Sequence, residues 1–323
     1  MGFIVAITDY VFPSLEPERA VLEPLGVELR PQQCRSEEEI IALAQEADAI
    51  LNCYAKMPAR VMQNLKRCRI IARYGIGVDN VDLAAATKAG ILVTNVPDYC
   101  VDEVSDHALA LLLALARKIV TADAGVKSGT WNVTAHAEIR RLRGQTLGLL
   151  GFGKIAKVLA SKVQPLGMKV LVYDPYLAPE LIALHGSEAA SLQRLFAEAD
   201  AISIHVPLSP ETRNLIGQRE LAHMKPTAFL INTSRGGIVD EQALAVALKE
   251  GRLGGAALDV LSAEPPPPDH PLRQAPNMIL TPHLAFYSQE SVIELQTKAA
   301  QEVARALKGE PPRSPVNSEV LTR

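Results

Sequence analysis

Short apolar runs alternate with polar stretches of helical period along almost the whole chain. Residues 3–7, 49–51, 69–72 and 91–93 are mostly apolar runs, the pattern of strands buried on both faces of a parallel sheet. Between them, residues 37–46, 59–65 and 82–89 place apolar side chains at helical spacing, and Ser36 precedes the first as an N-cap. This alternation predicts a doubly wound α/β domain. After a polar interruption at 97–102, an Ala- and Leu-rich stretch predicts one long helix over 104–119, a candidate interdomain element. A second alternating series follows. It predicts strands at 147–150, 170–173, 201–205, 228–232, 256–260 and 278–281, helices at 155–163 and 191–199, and a closing helix at 290–307.

The 323 residues are enough for two domains, and 48% hydrophobic with 21% charged residues is the balance of a soluble globular protein. A net charge of −3, from interspersed acids and bases, argues against nucleic acid or an anionic membrane as partner. The longest apolar run, 108–116, is too short to span a bilayer, and the N-terminus reads as a strand rather than a signal peptide. Cys34, Cys53, Cys68 and Cys100 lack metal-type spacing and read as reduced thiols of a cytoplasmic protein. No metal site is expected.

The first strand of the second series runs straight into Gly151-Phe152-Gly153 and then a helix. Gly151 permits a tight turn, and Gly153 lets a pyrophosphate approach the backbone. Ala156 replaces a third glycine and is still small enough for close helix–strand packing. The helix N-terminus offers N–H groups and partial positive charge to phosphates. Asp174 ends the next strand, 174 − 153 = 21 residues past the second glycine. A carboxylate there accepts hydrogen bonds from both ribose hydroxyls and repels a 2′-phosphate. No Arg or Lys follows within 175–178, so the fingerprint favours NAD over NADP.

Three later strands end in chemistry-bearing residues: Arg235 in Thr233-Ser234-Arg235-Gly236-Gly237, Glu264 before the prolines at 265–268, and His283 after Pro282. The loop His205-Val206-Pro207 ends another strand, where open α/β sheets bind ligands. Reduction of a ketone by NADH needs a proton donor for the developing alkoxide, and imidazole titrates near working pH. A carboxylate beside it favours the imidazolium. Arginine clamps a carboxylate or keto oxygen. Each residue has a plainer role when taken singly: a structural histidine, a turn glutamate, an arginine on cofactor phosphate. Together they point to catalysis. In the first domain, the turn Gly75-Ile76-Gly77 reads equally as an anion-binding nest or as an ordinary βα turn. Trp131 reads as packing an interface, and Arg140, Arg141 and Arg143 as a solvated face.

Several runs match one family together: 148–156 (Gly-Leu-Leu-Gly-Phe-Gly-Lys-Ile-Ala), 232–240 (Asn-Thr-Ser-Arg-Gly-Gly-Ile-Val-Asp), 257–260 with Glu264-Pro265, Thr281-Pro282-His283, 75–82 and Asn95-Val96-Pro97. Over nearly the whole chain the sequence resembles the D-isomer-specific 2-hydroxyacid dehydrogenases. The resemblance implies an α/β fold of two doubly wound parallel-sheet domains. A Rossmann NAD-binding domain, 102–287, would be inserted in a flavodoxin-like substrate domain made of 1–101 and 288–323. It implies that Arg235 orients the substrate carboxylate and carbonyl, that His283 is general acid and base, and that Glu264 is its partner. Substrate contacts are implied at the Ile76 and Gly77 amides, Tyr99 and Phe286. NAD contacts are implied at Gly151, Gly153, Lys154, Ile155 and Asp174, and in the strand-end loops at His205, Val206, Pro207 and Thr212. Further NAD contacts are implied at Thr233, Ser234, Arg235, Asp259, His283 and Ala285. A homodimer through the NAD-binding domain is implied as well.

Two departures narrow the expectation. Residues 284–288 read Leu-Ala-Phe-Tyr-Ser, where many members have two glycines, and the aromatic is similar to the branch of the C-terminal-binding-protein corepressors and their bacterial relatives. Phe286 is therefore expected to wall the pocket and favour a small or apolar substrate tail. Phosphoglycerate dehydrogenases tend to carry an arginine near Cys53, which cannot meet phosphate, although Lys56 keeps that alternative open. No C-terminal regulatory domain is expected. The expected activity is hydride transfer between NAD(H) and a small D-2-hydroxy or 2-keto acid of the glyoxylate or hydroxypyruvate type. The alternatives are a 3-phosphoglycerate dehydrogenase and an NAD(H)-sensing scaffold like the corepressors.

Overall fold

The structure is a computed structural model that describes residues 2–136 and 138–322. The chain divides into two compact units, one holding the residues up to Tyr99 and those from Ser288 onward, the other running Cys100–Tyr287.

In the first unit, β1 (Ile4–Ile7), β2 (Glu28–Pro31), β3 (Ala49–Asn52), β4 (Ile70–Arg73) and β5 (Leu92–Thr94) form a parallel sheet in the order β2-β1-β3-β4-β5. Every position of β3 and β4 is buried, which explains the apolar runs 49–51 and 70–72 that precede their polar last residues, Asn52 and Arg73. The edge strand β2 escapes sequence reading because it is half exposed, polar, and ends in a proline that only an edge tolerates. Helices α1 (Glu16–Leu22), α2 (Glu37–Ala44), α3 (Ala59–Asn64) and α4 (Leu83–Lys88) accompany the sheet. Ser36 caps α2 by accepting from the Glu39 amide at 3.2 Å. The closing helix Gln289–Lys308 packs on α1, β3 and β4.

A polar knot sits among these elements. The Glu18 carboxyl on α1 is fully buried and accepts from Tyr74 Oη at 2.7 Å and from Gln296 Nε2 at 3.0 and 2.9 Å. Tyr74 directly follows β4 and precedes the Gly75 turn, so the knot anchors that turn.

In the second unit, β6 (Thr146–Leu150), β7 (Lys169–Tyr173), β8 (Glu188–Ala189), β9 (Ala201–Ile204), β10 (Phe229–Asn232), β11 (Gly255–Leu258) and β12 (Met278–Leu280) form a second parallel sheet. Its order is β12-β11-β10-β9-β6-β7-β8. The chain leaves β6 one way through β7 and β8, then returns to β9 and runs the other way. The order reverses between β6 and β9, where open sheets of this kind have their ligand crevice. Its helices are α5 (Val101–Ala116), α6 (Ile119–Lys127), α7 (Lys154–Val163), α8 (Pro179–Ala183), α9 (Leu192–Glu198), α10 (Gln218–His223) and α11 (Glu241–Lys249).

The single helix expected over 104–119 is not what forms. The helix starts at Val101, stops at Ala116, and a second helix begins at Ile119. Lys118 takes the left-handed region (φ 53°) and ends α5 as a glycine would. No Gly or Pro marks the break, so the apolar pattern runs through it. The helix packs within the second unit, on α7, β10 and β11.

The Glu18 knot gives a testable pH dependence. Burial raises the Glu18 pKa above 4.5, outweighing the Tyr74 and Gln296 hydrogen bonds that lower it. The folded state therefore holds this proton at pH values where the unfolded state has lost it, and stability falls as pH rises through that interval. Each unit of displacement is worth about 1.4 kcal/mol. Denaturant titrations of wild type and Glu18→Gln should show wild type losing ground to the variant as pH rises above the ordinary glutamate range. A difference that does not change with pH would remove Glu18 from the linkage.

Candidate active site

Six adjacent strands of the second unit deliver the chemistry in spatial order. Read across the sheet from β12 through β11, β10, β9 and β6 to β7, their carboxyl ends lead to His283, Glu264, Arg235, His205, Gly151 and Asp174.

His283 and Glu264 form a pair, Nδ1 to Oε2 at 2.7 Å. The other oxygen, Oε1, accepts from the Leu261 amide at 2.9 Å. Burial works to raise the Glu264 pKa, but the hydrogen bond and charge of His283, the Leu261 amide and the Arg235 charge outweigh it. The carboxyl lies below the usual range and is an anion at neutral pH. With Nδ1 turned to Glu264, Nε2 is the nitrogen that can meet a reacting oxygen. Phe286 stands edge to face with the His283 ring, centroids 6.3 Å apart.

The His283 loop hangs on Asp259. Its backbone carbonyl accepts the His283 amide at 2.8 Å, and its carboxylate accepts the Leu284 amide at 3.0 Å and the Ala285 amide at 2.9 Å. The Thr281 hydroxyl donates to the same carboxylate at 2.6 Å. His107 on α5 lies 3.1 Å from that hydroxyl, and because the hydroxyl proton goes to Asp259, His107 Nε2 is the donor to it. His283 itself takes φ 53°.

Arg235 follows β10 in a turn braced by Asn232, whose Nδ2 donates to the Arg235 carbonyl at 2.8 Å and whose Oδ1 accepts the Ser234 amide at 2.9 Å. The Ser234 hydroxyl donates to the Ile204 carbonyl at 2.8 Å, tying the turn to β9. Thr233 Oγ1 is buried with no hydrogen-bond partner.

The glycine turn fits a dinucleotide. Gly151 takes φ 88°, and a Cβ there would come within 2.8 Å of the His205 carbonyl. A Cβ on Gly153 would meet nothing within 4 Å, so the backbone is open where α7 begins at Lys154. Asp174 accepts from the Phe152 amide through Oδ2 and the Tyr176 amide through Oδ1, both at 2.9 Å, which fixes the carboxylate against the turn. Val206 and Pro207 line the next strand-end loop, where Val206 Cγ1 would lie 2.9 Å from that Gly151 Cβ. Ile155 is half-buried in the first turn of α7, and Ala285 is buried in the His283 loop. Burial pushes the His205 pKa down to about 4, so its ring is neutral, and Ser203 Oγ lies 2.8 Å from its Nε2. Thr212 braces its own loop, donating to the Pro207 carbonyl at 2.6 Å and accepting the Ser209 amide at 2.8 Å.

In the first unit, the Gly75 turn is held by Val96, whose amide donates to the Gly75 carbonyl at 3.0 Å, and by Asn95, which donates to the Ile76 carbonyl at 2.6 Å. Gly77 follows within the same half-buried turn. Tyr99 is buried in this unit. Sequence reading missed Arg73. It is 8% exposed, its Nε has no partner, and a Cβ on Gly75 would lie 1.4 Å from its Nη1. An arginine ending a fully apolar strand was the available signal. The guanidinium lies over the turn and stacks near Tyr54, 6.0 Å from the ring centroid. Among the cysteines, burial pushes the Cys34 pKa up to about 11 and those of Cys53 and Cys68 to about 12, which suits inert thiols rather than nucleophiles.

A family model described as D-isomer specific 2-hydroxyacid dehydrogenase, NAD binding domain, matches residues 109–285. The chain is 42% identical over 288 residues to a D-3-phosphoglycerate dehydrogenase of Synechocystis, covering 89% of this chain and 52% of that one. It thus spans about half the length of that relative. It is 40% identical over 290 residues to a glyoxylate reductase of Korarchaeum cryptofilum, covering 88% and 87% of the two chains. The TT0316 protein of Thermus thermophilus superposes with TM-score 0.88 at 34% identity, covering 97% of this chain and all of that one. A D-lactate dehydrogenase of Aquifex aeolicus, solved with NAD and lactic acid, superposes with TM-score 0.85 at 27% identity, covering 97% and 99%.

Glu264→Gln keeps the size of the side chain and removes its charge. A charge-assisted hydrogen bond is worth about 1.5–3 kcal/mol, so any turnover that uses His283 should fall roughly ten- to hundredfold. The pH at which reduction falls to half should move lower, because the imidazolium loses its anionic partner. An unshifted pH–rate profile would separate Glu264 from the histidine.

Proposed function

Because the chain belongs to the D-isomer specific 2-hydroxyacid dehydrogenase family, we propose that it is an NAD-dependent oxidoreductase acting on the CH–OH group of a small D-2-hydroxy acid. The observation that carries this reading is the 2.7 Å His283–Glu264 pair beside Arg235, at the carboxyl ends of successive strands of a dinucleotide-binding sheet. Gly151, Gly153 and the start of α7 would hold the pyrophosphate, Asp174 the ribose, and the Thr233 hydroxyl would gain a partner in the bound cofactor. NADH, when bound, supplies the hydride.

The protein's own groups do the rest. Arg235 grips the 2-keto acid through its carboxylate and carbonyl. His283, protonated on both nitrogens, presents Nε2–H to the carbonyl oxygen, and the Glu264 anion stabilises the imidazolium until that proton is given up. In the opposite direction, neutral His283 takes the hydroxyl proton on Nε2. Phe286 against the imidazole excludes water from one side of the pair and favours a short or apolar tail. The favoured substrate type is glyoxylate or hydroxypyruvate.

A 3-phosphoglycerate dehydrogenase is the second reading. Its support is the 42% identity to a relative of that name and the buried, unpaired Nε of Arg73, which suits an anion. A homodimer through the NAD-binding domain is part of the proposal. Its support is the number of exposed apolar side chains in one stretch, Ile119, Val120, Val126 and Val133, with Trp131 90% exposed. No helix among the described residues is long and apolar enough to cross a membrane. A cytoplasmic setting is part of the proposal, and its support is the buried, unbridged thiols of Cys34, Cys53 and Cys68.

The direct test is NADH oxidation, followed by absorbance, with glyoxylate, hydroxypyruvate, pyruvate, phenylpyruvate and 3-phosphohydroxypyruvate, each repeated with NADPH. One of the small acids should lead, with NADH well ahead of NADPH, and Asp174→Ala should narrow that cofactor ratio. Preference for the phosphorylated acid would favour the second reading. Tight NADH binding without turnover would favour an NAD(H)-sensing scaffold. Light scattering should give two chains per particle for the wild type and one for Trp131→Glu. A wild-type monomer would end the dimer proposal.

A further inference from the structure

Glu264 stands in the irregular segment between β11 and the short helical turn Pro271–Gln274. Residues 262–265 of this loop are exposed, yet its carboxylate must stay within hydrogen-bond reach of His283. The fixing comes from another part of the chain. Glu241, the first residue of α11, accepts the Ser262 amide through Oε1 at 2.6 Å. Through Oε2 it accepts the Ser262 hydroxyl at 2.9 Å and faces His270 Nε2 at 2.9 Å. The His270 ring has a defined tautomer, because Nδ1 accepts the Leu272 amide at 3.4 Å and the proton for Glu241 is therefore on Nε2. The Glu241 and His270 side chains are only 10% and 11% exposed. One carboxylate thus ties the loop on both sides of Glu264, at Ser262 before it and at His270 after it.

This carboxylate is not needed to cap its own helix, since Asp240 accepts the Gln242 and Ala243 amides at 3.1 and 3.0 Å. A second tie comes from the same stretch. A Cβ on Gly236 would lie 1.9 Å from the Leu261 carbonyl carbon, so the Arg235 turn rests on the start of the Glu264 loop. Residues 235–241 therefore set both the arginine and the loop that bears the glutamate.

We propose that Glu241 is a positioning residue for the acid–base pair, holding the Glu264 carboxylate on His283 through Ser262 and His270. The proposal rests on the reading of that pair given above. It implies that Glu241 acts through Glu264 alone, and this can be measured. In Glu241→Ala, kcat should fall between about ten- and hundredfold while the NADH dissociation constant stays unchanged. The pH midpoint of reduction should move in the direction seen with Glu264→Gln. In the Glu264→Gln background, Glu241→Ala should change kcat less than about twofold, because the interaction it serves is already gone. His270→Gln keeps an N–H donor and should retain most of the activity that His270→Leu loses.

Equal losses from Glu241→Ala in both backgrounds would overturn the proposal, as would wild-type kcat in the single variant. Should Glu241→Ala fail to fold, Glu241→Gln and Ser262→Ala read the same cycle. A second readout needs no turnover. Histidine NMR titration, with His283 assigned by its absence in His283→Gln, should show its midpoint moved lower in Glu241→Ala. That shift in a protein that reduces no 2-keto acid would leave the positioning role standing and remove the proposed activity. An unmoved midpoint would remove the positioning role.

Discussion

Asp259 lies at the end of β11 with 2% of its surface exposed, and its oxygens bind the three consecutive amides of His283, Leu284 and Ala285. A left-handed backbone costs a residue like histidine roughly 1–2 kcal/mol, and these bonds offset that cost at His283. The conformation in turn aims the ring at Glu264. Without the Asp259 grip, the imidazole would be a side chain on a free loop, and neither the Glu264 pair nor an aligned Nε2 would follow. Thr281 and His107 extend the grip to α5, so the proposed acid–base pair is anchored to the second unit.

The order of strands does the remaining arrangement. Adjacent parallel strands lie about 4.8 Å apart, and six of them end in the residues proposed to meet an extended dinucleotide and a small acid. Asp174 and the glycine turn stand at one end, and His283 and Glu264 at the other. The proposed sites for phosphate, ribose and proton transfer therefore need no long loops to bring them together. The loops are instead braced individually: Asn232 holds the Arg235 turn, Thr212 the segment after Pro207, and Glu241 with His270 the Glu264 segment.

Much of this was legible in the chain itself because buried parallel strands are written as unbroken apolar runs and glycine turns follow them. Except for the two-residue edge strand β8, which no apolar run announces, the strands of the second unit appear within a residue or two of their expected limits, and the chemistry-bearing residues stand in the loops that follow them. What stayed hidden had physical reasons. The edge strand β2 is polar because half of it faces solvent. The break between α5 and α6 rests on a lysine in a conformation usually left to glycine. The buried Arg73 looks like any strand-end arginine until its missing partner is seen. Glu241 reads as an ordinary first-turn acid, and only the fold brings Ser262 and His270 to it. Local sequence reports burial and turns well, but it does not report which distant polar groups meet.

The most direct test of the account is isotopic. The protein would be given NADH carrying deuterium at both C4 positions together with whichever of hydroxypyruvate, pyruvate and phenylpyruvate it reduces best, since each gives a product with a stereocentre at C2, and the product examined by NMR and chiral chromatography. The account predicts a D-2-hydroxy acid carrying deuterium at C2, one molecule formed for each NADH consumed. An L-product, or a product without deuterium at C2, would contradict it.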